Sequence, residues 1–252
     1  MTMDRAVVLD AEGKKVSSTS EAKARKMLRD GKAALVGEDP LTIRLPYAVE
    51  LPPAPEPEEA PPPPGAGKRI LLHICCGPCG TYTIQRLRDL GFAVTGFWYN
   101  PNIHPFAEQE KRRETVRGYA ESVDLPVIWH PDYDMPRYFR EVAGHEAFGE
   151  RCRICYHLRL GQAARAAREG GFDAFTTTLL ISIHQDQAAI RAIGEELGKE
   201  HGVPFYYEDF RRGWSERGRI ANQQGLYKQH YCGCIYSEWE TASAAAKALT
   251  EP

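Results

Sequence analysis

The sequence lacks any apolar run near the roughly 20 residues that a membrane-spanning helix needs. Its start, Met1-Thr2-Met3-Asp4-Arg5, has no apolar signal core. These two absences predict a cytoplasmic protein without a membrane partner. The sequence also lacks an excess of one charge, because 32 Lys and Arg balance 34 Asp and Glu in 252 residues. This balance excludes nucleic-acid binding through a global basic charge, so any nucleic-acid surface must be local.

The sequence also lacks an even number of cysteines, since the chain has seven. The reducing cytoplasm and the odd count both argue against a structural disulfide framework. The seven form three groups: Cys75, Cys76 and Cys79; Cys152 and Cys155; and Cys232 and Cys234. Clustered cytoplasmic cysteines indicate metal ligation or redox catalysis.

A proline-rich segment divides the chain. Residues 51–68 contain "PPAPEPEEAPPPPGAG", which combines prolines and acids without periodic apolar residues and is typical of an extended linker. We therefore expect a small N-terminal β/α module over residues 1–50 and a larger domain over residues 69–252.

The N-terminal module has signals for three strands and one helix. The helix lies in "SSTSEAKARKMLRDG", with Ser18 as its N-cap, Glu21 three residues later, and Gly31 at its end. The predicted strands are "AVVLD", "KAALV" and "LTIRL".

In the larger domain, strands alternate with helices. The predicted strands are "RILLHI", "AVTGFWYN", "PVIWH", "AFTTTLL" and "PFYYEDF"; the predicted helices cover about 79–90, 107–122, 135–145, 152–171 and 186–201. This alternation predicts an α/β fold with a mostly parallel sheet and helices on both faces. Ligands in such folds bind beyond the carboxyl ends of the strands, where the cysteine-rich "CCGPCG" falls.

Two cysteine pairs are expected at strand-to-helix junctions. Cys152 and Cys155 lie on one face at the start of a helix, where the helix dipole favours thiolates. Cys75 and Cys76 close a strand before Gly77-Pro78 turns the chain into the next helix. Spacing alone leaves zinc and an iron-sulfur cluster both open. Buried thiols that act as small hydrophobic residues are the alternative.

Cys232-Gly233-Cys234 predicts a different chemistry. Cysteines separated by one glycine are poor partners on one tetrahedral zinc, but they can close a small disulfide ring. Such a ring would be strained, and strained disulfides are the labile, catalytic ones. Two unrelated thiols, or metal ligation by the pair, remain the alternatives.

Six motifs in order resemble the epoxyqueuosine reductases of the QueH family over about residues 69–240: "LLHICCGPC", "YNPNIHP", "ERCRICYHLRL", "FTTTLLISIHQ", "YEDFR" and "YCGC". The resemblance implies a Rossmann-like fold of the adenine-nucleotide hydrolase type with a 4Fe-4S cluster. It also implies reduction of the epoxide of epoxyqueuosine, at the wobble position of tRNA, to queuosine. This reaction is the last step of queuosine biosynthesis.

The same resemblance assigns roles to the cysteines. The implied cluster ligands are Cys75, Cys76, Cys152 and Cys155. Cys232 and Cys234 would form the redox-active disulfide, and Cys79 would ligate a single iron beside the cluster. The implied partners are tRNA carrying epoxyqueuosine and an electron donor such as flavodoxin or ferredoxin.

Candidate proton donors and substrate contacts lie on predicted strand-end loops. We expect His104, His184 and Asp209 to donate protons, with a structural hydrogen-bonding role as the alternative for each. Substrate contacts are expected from charged and aromatic side chains suited to phosphates and unstacked bases: Arg211, Arg212 and Trp214, with Arg112, Arg113, Arg117, Arg217 and Arg219 as further charges. For each of these residues, an ordinary solvated surface position is the alternative.

The N-terminal module is similar to the RRXRR, or PLMP, domain of IscB-type proteins, through "VLDAEGKKV", "SEAKARKMLRDGKAALV" and "DPLTIRL". "VSST" replaces the leucine-methionine-proline stretch of that family, which counts against guide-RNA binding. The basic helix residues Lys23, Arg25, Lys26 and Arg29 still predict an RNA contact, with an ordinary solvated helix face as the alternative.

Two other functions fit parts of the sequence. One is an ATP-dependent tRNA-modifying enzyme of the thiolase kind, because the inferred fold is shared with enzymes that adenylate tRNA. Against it, "CCGPCG" occupies the place of their pyrophosphate loop. The other is a zinc-stabilised RNA-binding protein without catalysis.

Overall fold

The structure is a computed structural model that describes residues 5–49 and 63–250. The chain divides into two compact units, Met1–Pro61 and Pro62–Pro252. Most of the predicted linker lies outside the described residues. Its final residues form a turn in the second unit, where the Gly65 amide donates to the Leu90 carbonyl at 2.9 Å. No helix in the described ranges combines the length and apolarity needed to cross a membrane.

The first unit is a four-stranded mixed sheet with one helix. The strands are β1 (Arg5–Leu9), β2 (Lys15–Ser20), β3 (Ala34–Glu38) and β4 (Leu41–Arg44), and the helix is α1 (Glu21–Arg29). The sheet order is β2-β1-β4-β3, with β1 and β4 parallel and the other pairs antiparallel. Ala24 of α1 packs against a small core that includes Val8 and Ile43.

The helix of this unit begins later than the sequence pattern predicts. Ser18 lies in β2, opposite Val7, and Ser20 is the N-cap of α1. The prediction of Ser18 as N-cap was therefore wrong, and strand β2 was missed. The reason is tertiary: β1 supplies ladder hydrogen bonds that hold the Ser/Thr run extended, and no local signal in the run reveals this partner.

The second unit contains an all-parallel sheet in the order β7-β6-β5-β8. Its strands are β5 (Arg69–His73), β6 (Ala93–Trp98), β7 (Val127–Trp129) and β8 (Ala174–Thr177). Ile70, Leu71 and Leu72 are successive and fully buried, as expected where helices cover both faces of a sheet. The strand order reverses between β5 and β8, which places a topological switch point at the ends of these two strands.

The helices of this unit are α2 (Gly77–Asp89), α3 (Phe106–Ser122), α4 (Met135–Val142), α5 (Glu150–Glu169), α6 (Gln187–His201), α7 (Trp214–Gln223) and α8 (Ile235–Thr250). Helix α5 packs on β5 and β8 and against α6, whereas α2 packs on β6 and against α3 and α7. The predicted parallel α/β architecture is confirmed.

Two segments differ from the predicted strands. "AFTTTLL" ends its strand at Thr177, whose hydroxyl accepts from the Leu179 amide and starts a 3₁₀ turn. In "PFYYEDF" only Phe205 forms a bridge, to Phe175 of β8. The chain then turns away, since the Glu208 carboxylate pairs with Arg86 at 2.8 Å and draws the segment toward α2. Helices α7 and α8 were not predicted.

Candidate metal and redox site

Three thiols meet at the switch point. Cys75 and Cys76 follow β5, and Cys79 lies in the first turn of α2; their sulfur atoms are all within 4.8 Å of one another. The Sγ atoms of Cys75 and Cys76 are 3.8 Å apart. Two thiolates on one tetrahedral ion, with bonds of about 2.3 Å, are separated by about 3.8 Å. The donor set and its spacing therefore fit a metal.

The close packing of chain around the thiols explains this arrangement. Pro78 in the first turn allows α2 to begin at Gly77, immediately after the cysteine pair. A Cβ atom on Gly77 would lie 2.7 Å from Thr115 Cγ2, so only glycine fits this approach of α2 to α3. Helix α2 starts two residues earlier than predicted, and this start turns Cys79 back toward Cys75 and Cys76.

The pKa values of the three thiols are shifted in different directions. Hydrogen bonds from Cys76 and Cys79 hold the pKa of Cys75 well below its ordinary value, and the charge of Arg159 acts in the same direction. The Thr178 hydroxyl, 3.2 Å from Cys75 Sγ, also favours the thiolate. The hydrogen bonds to Cys75 raise the pKa of Cys76 to about 12 and also raise the pKa of Cys79. Cys75 is therefore the thiol of the three that loses its proton most readily, and all three would lose protons on ligation.

The other four cysteines form a second group. Cys152 and Cys155 in the first turns of α5 line a cavity together with Cys232 and Cys234. All seven cysteines are free thiols. The cavity is completed by polar and aromatic side chains: Asn102, Tyr138, Arg151, Tyr156 and Gln185.

The structure thus divides the expected cluster ligands between two groups. Cys79 joins Cys75 and Cys76, whereas Cys152 and Cys155 join the predicted redox pair.

A buried arginine fixes the loop that carries Cys232 and Cys234. Arg112, only 1% exposed, donates to the carbonyls of Cys232 at 2.9 Å and Tyr231 at 3.2 Å. Its Nε pairs with Glu108 at 2.7 Å. Arg112 was expected to contact phosphates, and that expectation was wrong, because its guanidinium is inside the protein.

Two glutamine amides donate to thiols, and the sequence reasoning did not identify either as a site residue. Gln229 Nε2 lies 3.0 Å from Cys76 Sγ, and Gln185 Nε2 lies 3.5 Å from Cys232 Sγ. The Tyr156 hydroxyl donates to Gln185 Oε1 at 2.9 Å and fixes that amide. Their positions next to motifs could have indicated a role in the site, because Gln185 ends "ISIHQ" and Gln229 precedes "YCGC".

The three expected proton donors are in different environments. His104 is buried against the Cys232–Cys234 loop, where its amide donates to the Gly233 carbonyl at 2.8 Å. Its Nδ1 accepts from the Ile235 amide, so Nε2 carries the proton, and Nε2 has no partner among the described residues. Burial lowers the pKa of His104 to about 4.

The other two candidates are on the surface. His184 is exposed, and its ring centroid lies 5.7 Å from that of Trp214 in an edge-to-face arrangement. Hydrogen bonds from Arg211, the closest at 2.6 Å, lower the pKa of Asp209. An ionised carboxylate has no proton to give, so this geometry does not support Asp209 as an acid.

One of the expected substrate contacts, Arg217, lies near Cys79. Arg211 pairs with Asp209, and Arg212 pairs with Glu208. Arg217 stacks over Trp214 at 3.7 Å, and its Nη1 lies 3.7 Å from Cys79 Sγ. An aromatic ring and a guanidinium therefore adjoin the three-thiol group.

A doubly wound α/β domain with clustered thiols at its switch point defines a class of proteins that use cysteine for metal or redox chemistry. A family model described as "Epoxyqueuosine reductase QueH" matches residues 70–240. The chain belongs to this family.

Several curated relatives carry the name epoxyqueuosine reductase QueH. The protein from Dehalococcoides mccartyi is 42% identical over 172 residues, which cover 68% of this chain and 93% of the relative. The Thermotoga maritima protein is 36% identical, with coverage of 67% and 89%. The Histophilus somni protein is 33% identical, with coverage of 73% and 80%.

Two further similarities were found. A family model described as "RRXRR protein" matches residues 6–56, which confirms the expected similarity of the N-terminal module. The solved structure of a predicted subunit of tRNA methyltransferase from Methanocaldococcus jannaschii aligns with 64% of this chain and 93% of its own. Its TM-score is 0.40 at 11% identity.

Proposed function

We propose that this chain reduces the epoxide of epoxyqueuosine in tRNA to the alkene of queuosine, in the cytoplasm. The observation that carries the proposal is the meeting of seven free thiols in two groups near one switch point, in a chain of this reductase family. The reaction breaks both epoxide C–O bonds, consumes two electrons and two protons, and releases the oxygen as water.

Cys232 and Cys234 supply the two electrons in this proposal. Their two thiols become a disulfide as they release two electrons and two protons, which balances the reduction. When bound, a 4Fe-4S cluster would supply single-electron transfer and an adjacent iron would supply a Lewis acid. Cys75, Cys76, Cys152 and Cys155 would hold the first, and Cys79 would ligate the second. An external donor such as flavodoxin or ferredoxin would restore the dithiol.

Other residues bind the substrate and donate hydrogen bonds to it. Trp214 offers a ring for the modified base, and Arg211 and Arg212 offer charge for phosphates. His104 would donate a hydrogen bond from its unpaired Nε2–H beside the loop that carries the thiols, but burial lowers its pKa to about 4 and keeps the ring neutral, so the two protons would come from the Cys232 and Cys234 thiols. The basic face of α1, with Lys23 and Arg29 among its residues, would contact the body of the tRNA.

Anaerobic purification and a tRNA assay test the proposal together. The protein should be brown and should convert tRNA carrying epoxyqueuosine, supplied with a chemical reductant, to tRNA carrying queuosine, as detected by nucleoside mass spectrometry. Cys152→Ala and Cys232→Ala should each abolish turnover. Of these two variants, only Cys152→Ala should bleach the visible absorption, since Cys152 is a proposed cluster ligand and Cys232 is not.

Two results would contradict parts of the proposal. A colourless protein with stoichiometric zinc and no turnover would favour the zinc-stabilised RNA-binding alternative. Normal turnover by Cys232→Ala with a chemical reductant would show that the Cys232–Cys234 pair is not the electron source in that assay.

A further inference from the structure

Arg217, in the first turn of α7, reaches the group of three thiols. Its Nη1 atom lies 3.7 Å from Cys79 Sγ, and its guanidinium lies 3.7 Å from the centre of the Trp214 ring. Trp214 and Arg217 are three residues apart on one helix, so the two side chains share a face. This cation–π contact holds the guanidinium in place and leaves its hydrogen-bond donors available.

The start of α7 is fixed against the helix that carries Cys79. Gly213, the residue before α7, approaches α2 so closely that a Cβ atom there would overlap the Tyr82 ring. Helices α2 and α7 also pack against each other. The position of Arg217 beside Cys79 therefore follows from the packing of two helices and does not depend on a loop.

Arg217 differs from the other arginines of its segment, because it has no carboxylate partner in the ranges that the structure describes. The other three each pair with a carboxylate: Arg211 with Asp209, Arg212 with Glu208, and Arg219 with Glu216. The Nε atom of Arg217 is buried and has no hydrogen-bond partner among the described residues. A buried donor without an acceptor is unfavourable, so an acceptor is expected when a ligand fills the site.

We propose that Arg217 binds the epoxide oxygen of the substrate and stabilises the negative charge that develops there as the first C–O bond breaks. The inference rests on the proposed function, which supplies the epoxide. A phosphate of the tRNA backbone fits this position less well. Arg211 and Arg212 are exposed and accessible to such a phosphate, whereas Arg217 has a buried Nε and adjoins the thiols.

Arg217 keeps its proton during the reaction, since a guanidinium does not deprotonate in proteins. The two electrons and two protons come from the Cys232 and Cys234 thiols, both C–O bonds break, and the oxygen leaves as water. Arg217 contributes hydrogen bonds that strengthen as the oxygen becomes negative. Removing one such donor typically slows turnover by about 10²–10³-fold. Its loss should slow the chemical step and leave substrate binding nearly unchanged.

The test compares Arg217→Ala with Arg219→Ala in the full-length chain, purified anaerobically with its metals. Arg219 is the matched control, because it is an exposed arginine on the same helix and pairs with Glu216 at 3.3 Å. Arg217→Ala should lower the single-turnover rate constant on tRNA carrying epoxyqueuosine by about 100-fold. Its metal content and its tRNA affinity, measured by fluorescence anisotropy, should equal those of the parent. Arg219→Ala should match the parent in all three measurements.

Chemical rescue separates a direct contact from a structural one. Guanidinium chloride, at concentrations far below those that unfold the protein, should restore part of the rate of Arg217→Ala, because the ion can occupy the vacated place beside Trp214. Sodium chloride at the same concentration should not. If Arg217→Ala fails to fold, Arg217→Gln takes its place in the rate and affinity measurements and should show the same loss of rate.

Four outcomes would overturn the inference. The first is an Arg217→Ala rate equal to that of Arg219→Ala, and the second is a rate that guanidinium restores no better than sodium chloride. The third is a loss of tRNA affinity that explains the whole loss of rate, which would place Arg217 on a phosphate. The fourth is a loss of bound metal. A parent chain without turnover would instead contradict the proposed function, and the inference would fall with it.

Discussion

Replacing Arg112 by Met should destabilise the second unit more than any replacement of an exposed arginine. The substitution removes three contacts of one buried guanidinium: the pair with Glu108 and the bonds to the Tyr231 and Cys232 carbonyls. Glu108 is only 10% exposed at its side chain, so its carboxylate is left largely desolvated and without the arginine.

The magnitude follows from these contacts. Breaking a buried ion pair by removing one partner costs about 3–5 kcal/mol. The two carbonyls lose bonds to a charged donor, each worth about 1.5–3 kcal/mol in isolation, but the effects of one side chain do not add. We therefore expect a loss of about 4 kcal/mol, which at about 2 kcal/mol/M lowers the urea midpoint by about 2 M.

Tryptophan fluorescence measures this loss in the second unit alone, because Trp98, Trp129, Trp214 and Trp239 are the four tryptophans of the chain and all lie there. Arg113→Met is the matched control. Arg113 is the next residue, its side chain is 32% exposed, and its pair with Glu110 at 3.4 Å should contribute less than about 1 kcal/mol. A midpoint for Arg112→Met within error of the control would refute the reasoning.

Three other measurements test the site. Gly233 has φ +150°, and a Cβ atom there would lie 3.2 Å from Asn102 Nδ2. Gly233→Ala should therefore lower the free energy of unfolding in urea by about 1–3 kcal/mol. The control is Gly218→Ala in open space on α7, which should raise that free energy by about 0.5–1 kcal/mol. Burial lowers the pKa of His104 from 6.5 to about 4, so the unfolded chain binds a proton that the native chain does not, and stability falls as the pH drops from 6.5 toward 4. His104→Gln should reduce that fall by up to about 3 kcal/mol, and an unchanged pH profile would contradict it. Cys79→Ala should weaken Co²⁺ binding as strongly as Cys75→Ala; retained binding would remove Cys79 from the metal group.

The fold was largely predictable because alternation of strand and helix patterns is a local property. The parallel sheet and its helices followed from that alternation, and the family resemblance agreed with it. Strand β2 and the end of "PFYYEDF" were not predicted correctly, since each depends on a partner: β1 holds the Ser/Thr run extended, and Arg86 draws Glu208 away from the sheet.

The cysteines of the site were evident from their clustering, but their grouping was not. Cys79 joins Cys75 and Cys76 because α2 starts at Gly77. The exact first residue of a helix is difficult to predict from sequence, so this grouping was missed. The burial of Arg112 and Arg159 was not predicted from the sequence either. Charged residues on helices usually face solvent, and only the folded chain shows that these two are buried beside thiols and backbone carbonyls.

The amide of Gln229 that contacts the Cys76 sulfur is 153 residues further along the chain. At about 5–20 residues per second, a ribosome needs about 8–30 s to make that stretch. The three-thiol group is therefore synthesised well before the loop that covers it. During that interval, the three sulfur atoms of the nascent chain lack the Gln229 donor. They are then accessible to metal ions and to oxidants. Anaerobic expression should consequently matter more for this protein than anaerobic handling of the finished fold.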